Sequence, residues 1–465
     1  MIENDAFKLL LINLFHLNPD DIANILCTTF NKMMVLVVTL TDKHQACPYC
    51  GFTAPKIKEY VTKEITHSAL TTQKCIIKYR ARRYKCSCCG KTYYEFNPFV
   101  FKSQKISILT VHNILKDLKD FNETFTSVAR RYHVSPTSVS TIFDNHVDIG
   151  RNPLPEIINF DEVYAFKSEQ SKYVCVILDF KKQIPVDVLP NRKKEHLLNY
   201  FQKIPLEERK KVKYACSDMY EVYRDVVHKV FPSCCMLLDY FHLSQDFHRK
   251  MNEVRIKVMK GYKDNKASDE YYLLKKFNWL LFKNPEDEDK YGRLFDVERE
   301  RKYNSHFKSY MNYYDLRKKL LEINNDLTIC YSLKLELVDF YSKSTVDNAK
   351  ENLENLIRSC IDTNIDEMIA FSNNLINWKQ EIINSFTIVG TEYKVEADKG
   401  QVVVCNKKVN NAIIENRNKI IKCIKNNANG YTNWSRFRNR VMYVLDPNAT
   451  FSLEPREKQS WMHKT

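Results

Sequence analysis

The chain has 465 residues, 44% of them hydrophobic and 12% aromatic, which is material for roughly two to four packed domains and excludes a disordered protein. Lys and Arg outnumber Asp and Glu by 72 to 57, a formal charge of +15 that favours a polyanionic partner, nucleic acid before an anionic membrane surface. The best apolar run, Met33–Leu40, is far too short to span a bilayer, the acidic start lacks a signal peptide's basic region, and eight glycines without a Walker or dinucleotide motif argue against a phosphate-cradling loop.

In chain order, the Leu-rich N-terminus reads as a short core helix. Two cysteine knuckles follow, CPYCG at 47–51 and CSCCG at 86–90. Each C-x-x-C puts two thiolates on one tight turn, and the glycine after it lets the backbone bend back toward a metal. The four sulfurs of Cys47, Cys50, Cys86 and Cys89 suit a closed tetrahedral structural zinc site, and the presence of two pairs argues against a redox motif. Cys88 is a fifth candidate that the C-x-x-C spacing sets aside. Residues 59–65 and 75–84 alternate apolar and polar, as strands of a zinc ribbon would, and YRARRYK at 79–85 is basic enough to lie along a phosphate backbone. The 15 cysteines are odd in number and scattered, with Cys234 next to Cys235, which points to a reducing cytosol rather than a disulfide framework.

Residues 125–147, FTSVARRYHVSPTSVSTIFDNHV, read as a helix-turn-helix. Val128, Ala129 and Tyr132 line one side of the first helix, with Arg130 and Arg131 exposed. His133 and Val134 make the turn, Ser135 caps the second helix, and Pro136 sits where its missing N–H costs nothing. Thr137, Ser138, Ser140 and Thr141 then present small polar groups fit for a major groove, while Val139, Ile142 and Phe143 point inward.

After a proline-rich linker at 152–155, strands are predicted at 157–166 and 173–180, a third near 183–189, a helix near 194–204, a strand at 212–217, a helix at 220–231 and a strand at 234–238. That order predicts a mixed sheet with helices packed on it. Asp161 interrupts the first strand just after Ile157, Ile158 and Phe160, and a carboxylate there is costly unless paired or holding a metal. Asp218 ends the fourth strand. If these strands are neighbours, both carboxylates point at one spot, where their oxygens would hold two magnesium ions for phosphoryl transfer. Asp239 is read as the N-cap of the next helix, and His242 and His248 as structural.

Three blocks, INFDEVYAF with Asp161, ACSDMYEVY with Asp218 and LLDYFHL with Asp239, resemble successive blocks of bacterial DDE transposases of the ISL-three insertion-sequence family. The knuckles and the helix-turn-helix resemble that family's N-terminal region in the same order. Residues 409–445 resemble its last block, whose glutamate lies on a helix, and Glu415 is the only acid in that stretch before Asp446. The chain reads AIIEN there, where the family usually has a small residue or glycine. The resemblance implies an RNase H-like catalytic core in which Asp161, Asp218 and Glu415 bind two Mg²⁺ or Mn²⁺ ions. It implies cleavage at element ends followed by strand transfer, with terminal inverted repeats and target DNA as partners, and a homodimer or larger synaptic complex in a bacterial, nucleoid-associated cytoplasm. Arg417, Lys419, Lys422, Lys425, Arg436, Arg438 and Arg440 make the last segment basic enough to hold DNA beside the metals.

Between Asp218 and Glu415 lies more chain than a compact sheet domain accommodates. Helical spacing at 271–282, 314–323 and 346–361 predicts a mainly helical insertion, with a hairpin at 391–406 and Trp279 and Trp378 as core residues. The fold class is therefore multidomain α/β. A zinc-ribbon region occupies 1–100, a helix-turn-helix 101–150, the first part of the catalytic core 151–256, the insertion 257–400 and the last part of the core 401–465. The rival readings are a DNA-binding regulator with an inactive sheet domain, and a nuclease of the same fold that cuts without joining.

Overall fold

The computed structural model describes residues 2–43, 46–101, 104–166, 171–395 and 402–456. Helix α1 (Ile2–Leu14) lies on a sheet of β1 (Ile22–Phe30), β2 (Met33–Leu40), β3 (Lys56–Thr66), β4 (Cys75–Lys85) and β5 (Thr92–Tyr94). The strand order is β1-β2-β4-β3 with β5 beside β4, and the apolar run that is too short for a membrane is an inner strand. Leu11, Ile12 and Phe15 pack there with Leu36, Val38, Ile77 and Tyr79. Among the described residues, no helix is long and apolar enough to cross a membrane.

Three short helices follow, α2 (Ile108–Asp117), α3 (Phe125–Arg131) and α4 (Pro136–His146). Thr124 and Ser127 form a capping box on α3, and Ser135 caps α4 with Pro136 in its first turn. His133 makes the turn between α3 and α4 in the left-handed region, at φ 55°. Val128, Ala129, Val139 and Phe143 form their common core with Ile114 and Leu115 of α2.

The central sheet holds β6 (Ile157–Tyr164), β7 (Tyr173–Asp179), β8 (Pro185–Leu189), β9 (Tyr214–Ser217) and β10 (Cys235–Leu238), in the order β10-β9-β6-β7-β8. β6, β7 and β8 form an antiparallel meander, whereas β9 and β10 run parallel to β6. The parallel strands arrive through crossovers that carry α5 (Lys194–Gln202), α6 (Leu206–Arg209) and α7 (Glu221–Val230). β6 is buried almost throughout, so its alternation serves two apolar layers. Ile158 and Phe160 pack with Phe201 of α5 and with Tyr223 and Val227 of α7. Ile157, Asn159, Asp161 and Val163 face the other way.

Helix α8 (Tyr240–Lys260) leaves β10 directly and leads into a helical layer. Its Leu243, Phe247, Met251 and Val254 share one core with α9 (Asp269–Lys276), α10 (Tyr313–Glu322), α11 (Asn325–Lys343), α12 (Ala349–Asp362), α13 (Asp366–Asn377) and α14 (Lys379–Asn384). Trp378 is buried in that core and Trp279 packs against it. A hairpin of Ile388–Val395 and Val402–Lys408 leads back to the sheet; its turn, part of the hairpin expected at 391–406, lies outside the described residues.

Two last helices, α15 (Ala412–Asn427) and α16 (Trp434–Leu445), cover the second face of the central sheet. Ile414, Ile421, Phe437 and Val441 pack there on Val163, Val174, Val176 and Val188. The arginines of α16 depart from their expected role of gripping DNA. Arg436 is paired with Asp144 of α4, Arg438 with Asp187 of β8, and Arg440 is 1% exposed and donates to the backbone oxygens of Asp120 and Glu123. They clamp the α2–α4 helices to the sheet. A sequence run of positive charge looks the same whether its partners are phosphates or distant carboxylates.

Candidate functional site

Strand register places the aspartates. Asn159 pairs with Cys216 and Leu238 with Ser217 across the parallel ladders. Carrying that register forward puts Asp161 beside Asp218, and Asp239 beside Asp218 on its other flank. Alternation puts all three on one side, because Ile157, Cys216 and Leu237 on the same parity share one apolar cluster with Val409. The site therefore lies at the carboxyl ends of β9 and β10 where they meet β6, the usual place for ligands on an open α/β sheet.

Helix α15 closes this face. Asn411, just before its first turn, accepts from the Asn159 amide at 2.7 Å and donates to the Phe160 carbonyl at 3.3 Å. One turn on, Glu415 reaches the site, and one further turn on Asn418 donates to Asp161 Oδ2 at 2.7 Å. Glu415, remote in sequence, thus comes to Asp239 and His242 because α15 is pinned along β6. Glu162 points to the opposite face, where it pairs with Arg192, whose guanidinium lies over Tyr220.

The three aspartates are largely buried side by side, and Arg192, the cation that bears on Asp218, is itself engaged by Glu162. Burial, reinforced by Asp218 and Glu162, pushes the Asp161 carboxyl up to about 6, against help from the Glu162 N–H and His242. Burial and the Glu162 charge push Asp218 up to about 7, with Asp239 adding and Arg192 opposing. Asp239 is also raised, by burial first and by Glu415, with His242 and the Asn411 N–H opposing. Asp218 Oδ1 and Asp239 Oδ2 are buried with no hydrogen-bond partner. Hard oxygen donors, unpaired and under mutual repulsion, fit divalent cations of the magnesium class.

Two expectations change here. Asp239 does sit at the N-cap position of α8, but it makes no side-chain capping hydrogen bond; it turns into the site instead. His242, set aside as structural, places Nε2 3.8 Å from Asp239 Oδ2 and 4.0 Å from Glu415 Oε1. The D-x-x-H spacing at a helix start was the available signal, since residues three apart share a helix face. Asp218 and His242 also line an open pocket of about 590 Å³ with Gln245, Asp246, Arg249 and Asn252, beside the carboxylates. His248 lines it too, half-buried, its ring edge-on to Phe282.

At the other end of the chain, the sulfurs of Cys47, Cys50, Cys86 and Cys89 gather within 4.8 Å of one another. Cys47 Sγ lies 3.7 Å from Cys89 Sγ, and Cys50 Sγ 3.5 Å from Cys86 Sγ. Four sulfurs about 2.3 Å from one zinc ion would be about 3.8 Å apart, so the set fits a structural zinc. Gly51 and Gly90 adopt φ 74° and 72°, the left-handed conformation each knuckle needs. Cys88 is exposed and outside the cluster.

The groups expected to touch DNA are placed unevenly. Arg130, Thr137 and Thr141 are exposed on α3 and α4. Ser138 bonds back to the Ser135 cap, and Ser140 to the Thr137 carbonyl. Arg131 is a correction: it is not free on the surface but held by ion pairs to Asp117 and Glu123. On α15, Lys419 and Lys422 are exposed, while Lys425 lies over the Tyr164 ring at 4.8 Å.

The family model described as transposase, of the ISL-three DDE type, matches residues 158–402, just over half of the chain. The chain belongs to the ISL-three family of DDE transposases. The matched stretch contains Asp161, Asp218, Asp239 and His242 and stops short of Glu415. The chain is also similar to the transposase for insertion sequence element IS1001 of Bordetella parapertussis, with 19% identity over 413 residues, covering 88% of this chain and 91% of that protein.

Proposed function

We propose that this transposase binds the terminal inverted repeats of its own element, then cleaves and joins DNA strands by two-metal phosphoryl transfer. The observation that carries the reading is the alignment of Asp161, Asp218 and Asp239 on three adjacent strands, with Glu415 delivered from α15. The strand order, an antiparallel meander extended by two parallel strands, supports an RNase H-like core. Asp161 and Asp218, with Glu415 opposite, would hold Mg²⁺ or Mn²⁺, which when bound activates the attacking oxygen and stabilises the leaving one. The residues themselves fix the geometry: Asn418 orients Asp161, and Asn411 fixes the start of the Glu415 helix. Positioning and charge neutralisation carry most of such a reaction. The Cys47, Cys50, Cys86 and Cys89 set would hold a structural zinc. Arg130, Thr137 and Thr141 would meet the repeat DNA, and Lys419 and Lys422 would flank the strand at the metals. A dimeric or larger synapse, needed to bring two ends together, in the bacterial cytoplasm completes the reading.

The test is strand cleavage and joining on labelled DNA carrying the ends that flank the gene, in Mg²⁺ or Mn²⁺. Asp161→Asn, Asp218→Asn and Glu415→Gln are each expected to lower joining by roughly 10²–10³-fold or more while end binding persists. Specific end binding with no cleavage by the unaltered protein would replace this reading with a regulator, and cleavage without joining would replace it with a nuclease.

A further inference from the structure

The acids beside β6 do not all have the same company. Asp161 and Asp218 offer oxygen only, whereas Asp239 and Glu415 converge on an imidazole. Donor atoms of Asp239, His242 and Glu415 all lie within 4.8 Å of one another. Asp239 is 4% exposed and its Oδ2 has no hydrogen-bond partner; the facing His242 Nε2 is likewise buried and unpartnered. Their separation of 3.8 Å, and the 4.0 Å from Nε2 to Glu415 Oε1, are too long for hydrogen bonds. Neighbouring donors on one octahedral ion with bonds of about 2.1 Å stand ~3.0 Å apart, so each pair is within about 1 Å of the spacing an ion would draw it to.

Each donor sits on a rigid element. Asp239 ends β10 and accepts from the Asn411 N–H at 3.4 Å; His242 is in the first turn of α8; Glu415 is in the first turn of α15. No lysine or arginine lies among the groups that bear on Asp239.

We propose that Asp239, His242 and Glu415 form a mixed imidazole–carboxylate site for a divalent transition-metal ion, manganese(II) as the probe, beside the oxygen-only pair Asp161 and Asp218. The inference deepens the reading of this face as a metal-dependent active site and rests on it only for the place of Glu415. A nitrogen donor changes selectivity: carboxylates alone suit Mg²⁺, while an imidazole favours the transition series. The two ion positions are then chemically unequal, and His242 is what makes the chain respond differently to Mn²⁺ and Mg²⁺.

The experiment is Mn²⁺ and Mg²⁺ binding to the full chain with its cysteine-bound zinc retained, read by the resonance of free and bound Mn²⁺ and by nitrogen modulation of the bound ion's spin echo. The unaltered protein and Asp161→Asn are expected to show nitrogen coupling. In His242→Ala the coupling should vanish and Mn²⁺ affinity fall at least about tenfold, with Mg²⁺ affinity changed less than about twofold. Should His242→Ala lose its zinc or its folded spectrum, Asp239→Asn and Glu415→Gln carry the test, each expected to weaken Mn²⁺ at least about tenfold. Absence of nitrogen coupling in the unaltered protein, or its survival in His242→Ala, overturns the site. Joining in Mg²⁺ without nitrogen coupling would sink this inference and leave the transposase reading intact; nitrogen coupling with no joining would do the reverse.

Discussion

The cysteine cluster and the carboxylate cluster are both gatherings of anionic groups, and they are built in opposite ways. The cysteines come as two tight turns at one end of a sheet, each closed by a left-handed glycine, with all four sulfurs turned on one another. The carboxylates come from three strands and a distant helix, and one of them, Asp218, lines an open pocket together with His242. A closed site uses its metal to hold the chain together; an open one spends stability to keep charges where a substrate can reach them. The same ion removal should therefore have opposite consequences in the two places.

The largest expected effect is at the closed site. Cys86→Ser, or stripping zinc with a chelator, should expose the two knuckles, residues 46–55 and 84–95, to protease while β4, held by Ile77 and Tyr79 in the N-terminal core, and the central sheet stay folded. Structural zinc in small domains contributes about 10–16 kcal/mol of binding free energy to folding, and the buried apolar residues packed with the knuckle cysteines are Tyr84 and Tyr93 alone among the described residues. Zinc content and limited proteolysis measure it, and a protease-resistant zinc-free protein would erase the contrast.

At the open site the sign reverses. Asp218→Asn should abolish joining yet raise the melting temperature of the metal-free protein. Both Asp161, at about 6, and Asp218, at about 7, stand above the ordinary 3.8. The folded state thus keeps protons that the unfolded chain releases, and metal-free stability falls as pH rises between the two values. The penalty is absent below about pH 4 and full above about pH 7, on the order of 1–4 kcal/mol in all once partial exposure is allowed for. Denaturant titrations at pH 5 and pH 8, with and without Mg²⁺, check this. Equal stability at both pH values without metal would mean that burial and the neighbouring charges do not penalise the ionised carboxylates.

What the sequence disclosed follows the same division. The knuckles were legible because C-x-x-C-G is local, and the central strands because Ile157–Phe160 and the 173–179 run are β-branched and apolar on both faces. The register that aligns Asp161, Asp218 and Asp239 was not legible, since strand order is a property of pairing between remote segments. His242 was passed over because a single histidine on a helix carries no sign of the Glu415 that approaches it from α15. Arg436, Arg438 and Arg440 were misread for the converse reason: their carboxylate and carbonyl partners on α4, on β8 and before α3 are visible only once α16 is docked, whereas Arg131 is held by Asp117 and Glu123 from its own group of helices.

The smallest effect probes how the open site is held rather than what it holds. Asn418 is 5% exposed, and its amide gives Asp161 its side-chain hydrogen bond. That bond favours the ionised carboxylate, so Asn418→Ala should raise the Asp161 pKa further above 6 and move the acidic limb of the joining-rate profile to higher pH. A hydrogen bond to a charged group contributes about 1.5 kcal/mol, which sets the shift at roughly one pH unit, the loss in rate at roughly tenfold well below pH 6 and at roughly twofold at neutral pH. Rate recovered at higher pH separates this from misplacement of α15, which would lower the whole profile. Asn418→Asp, with a second charge at the same spot, should be worse than alanine at every pH; an aspartate variant as active as the alanine one would show that Asp161 is oriented by β6 alone.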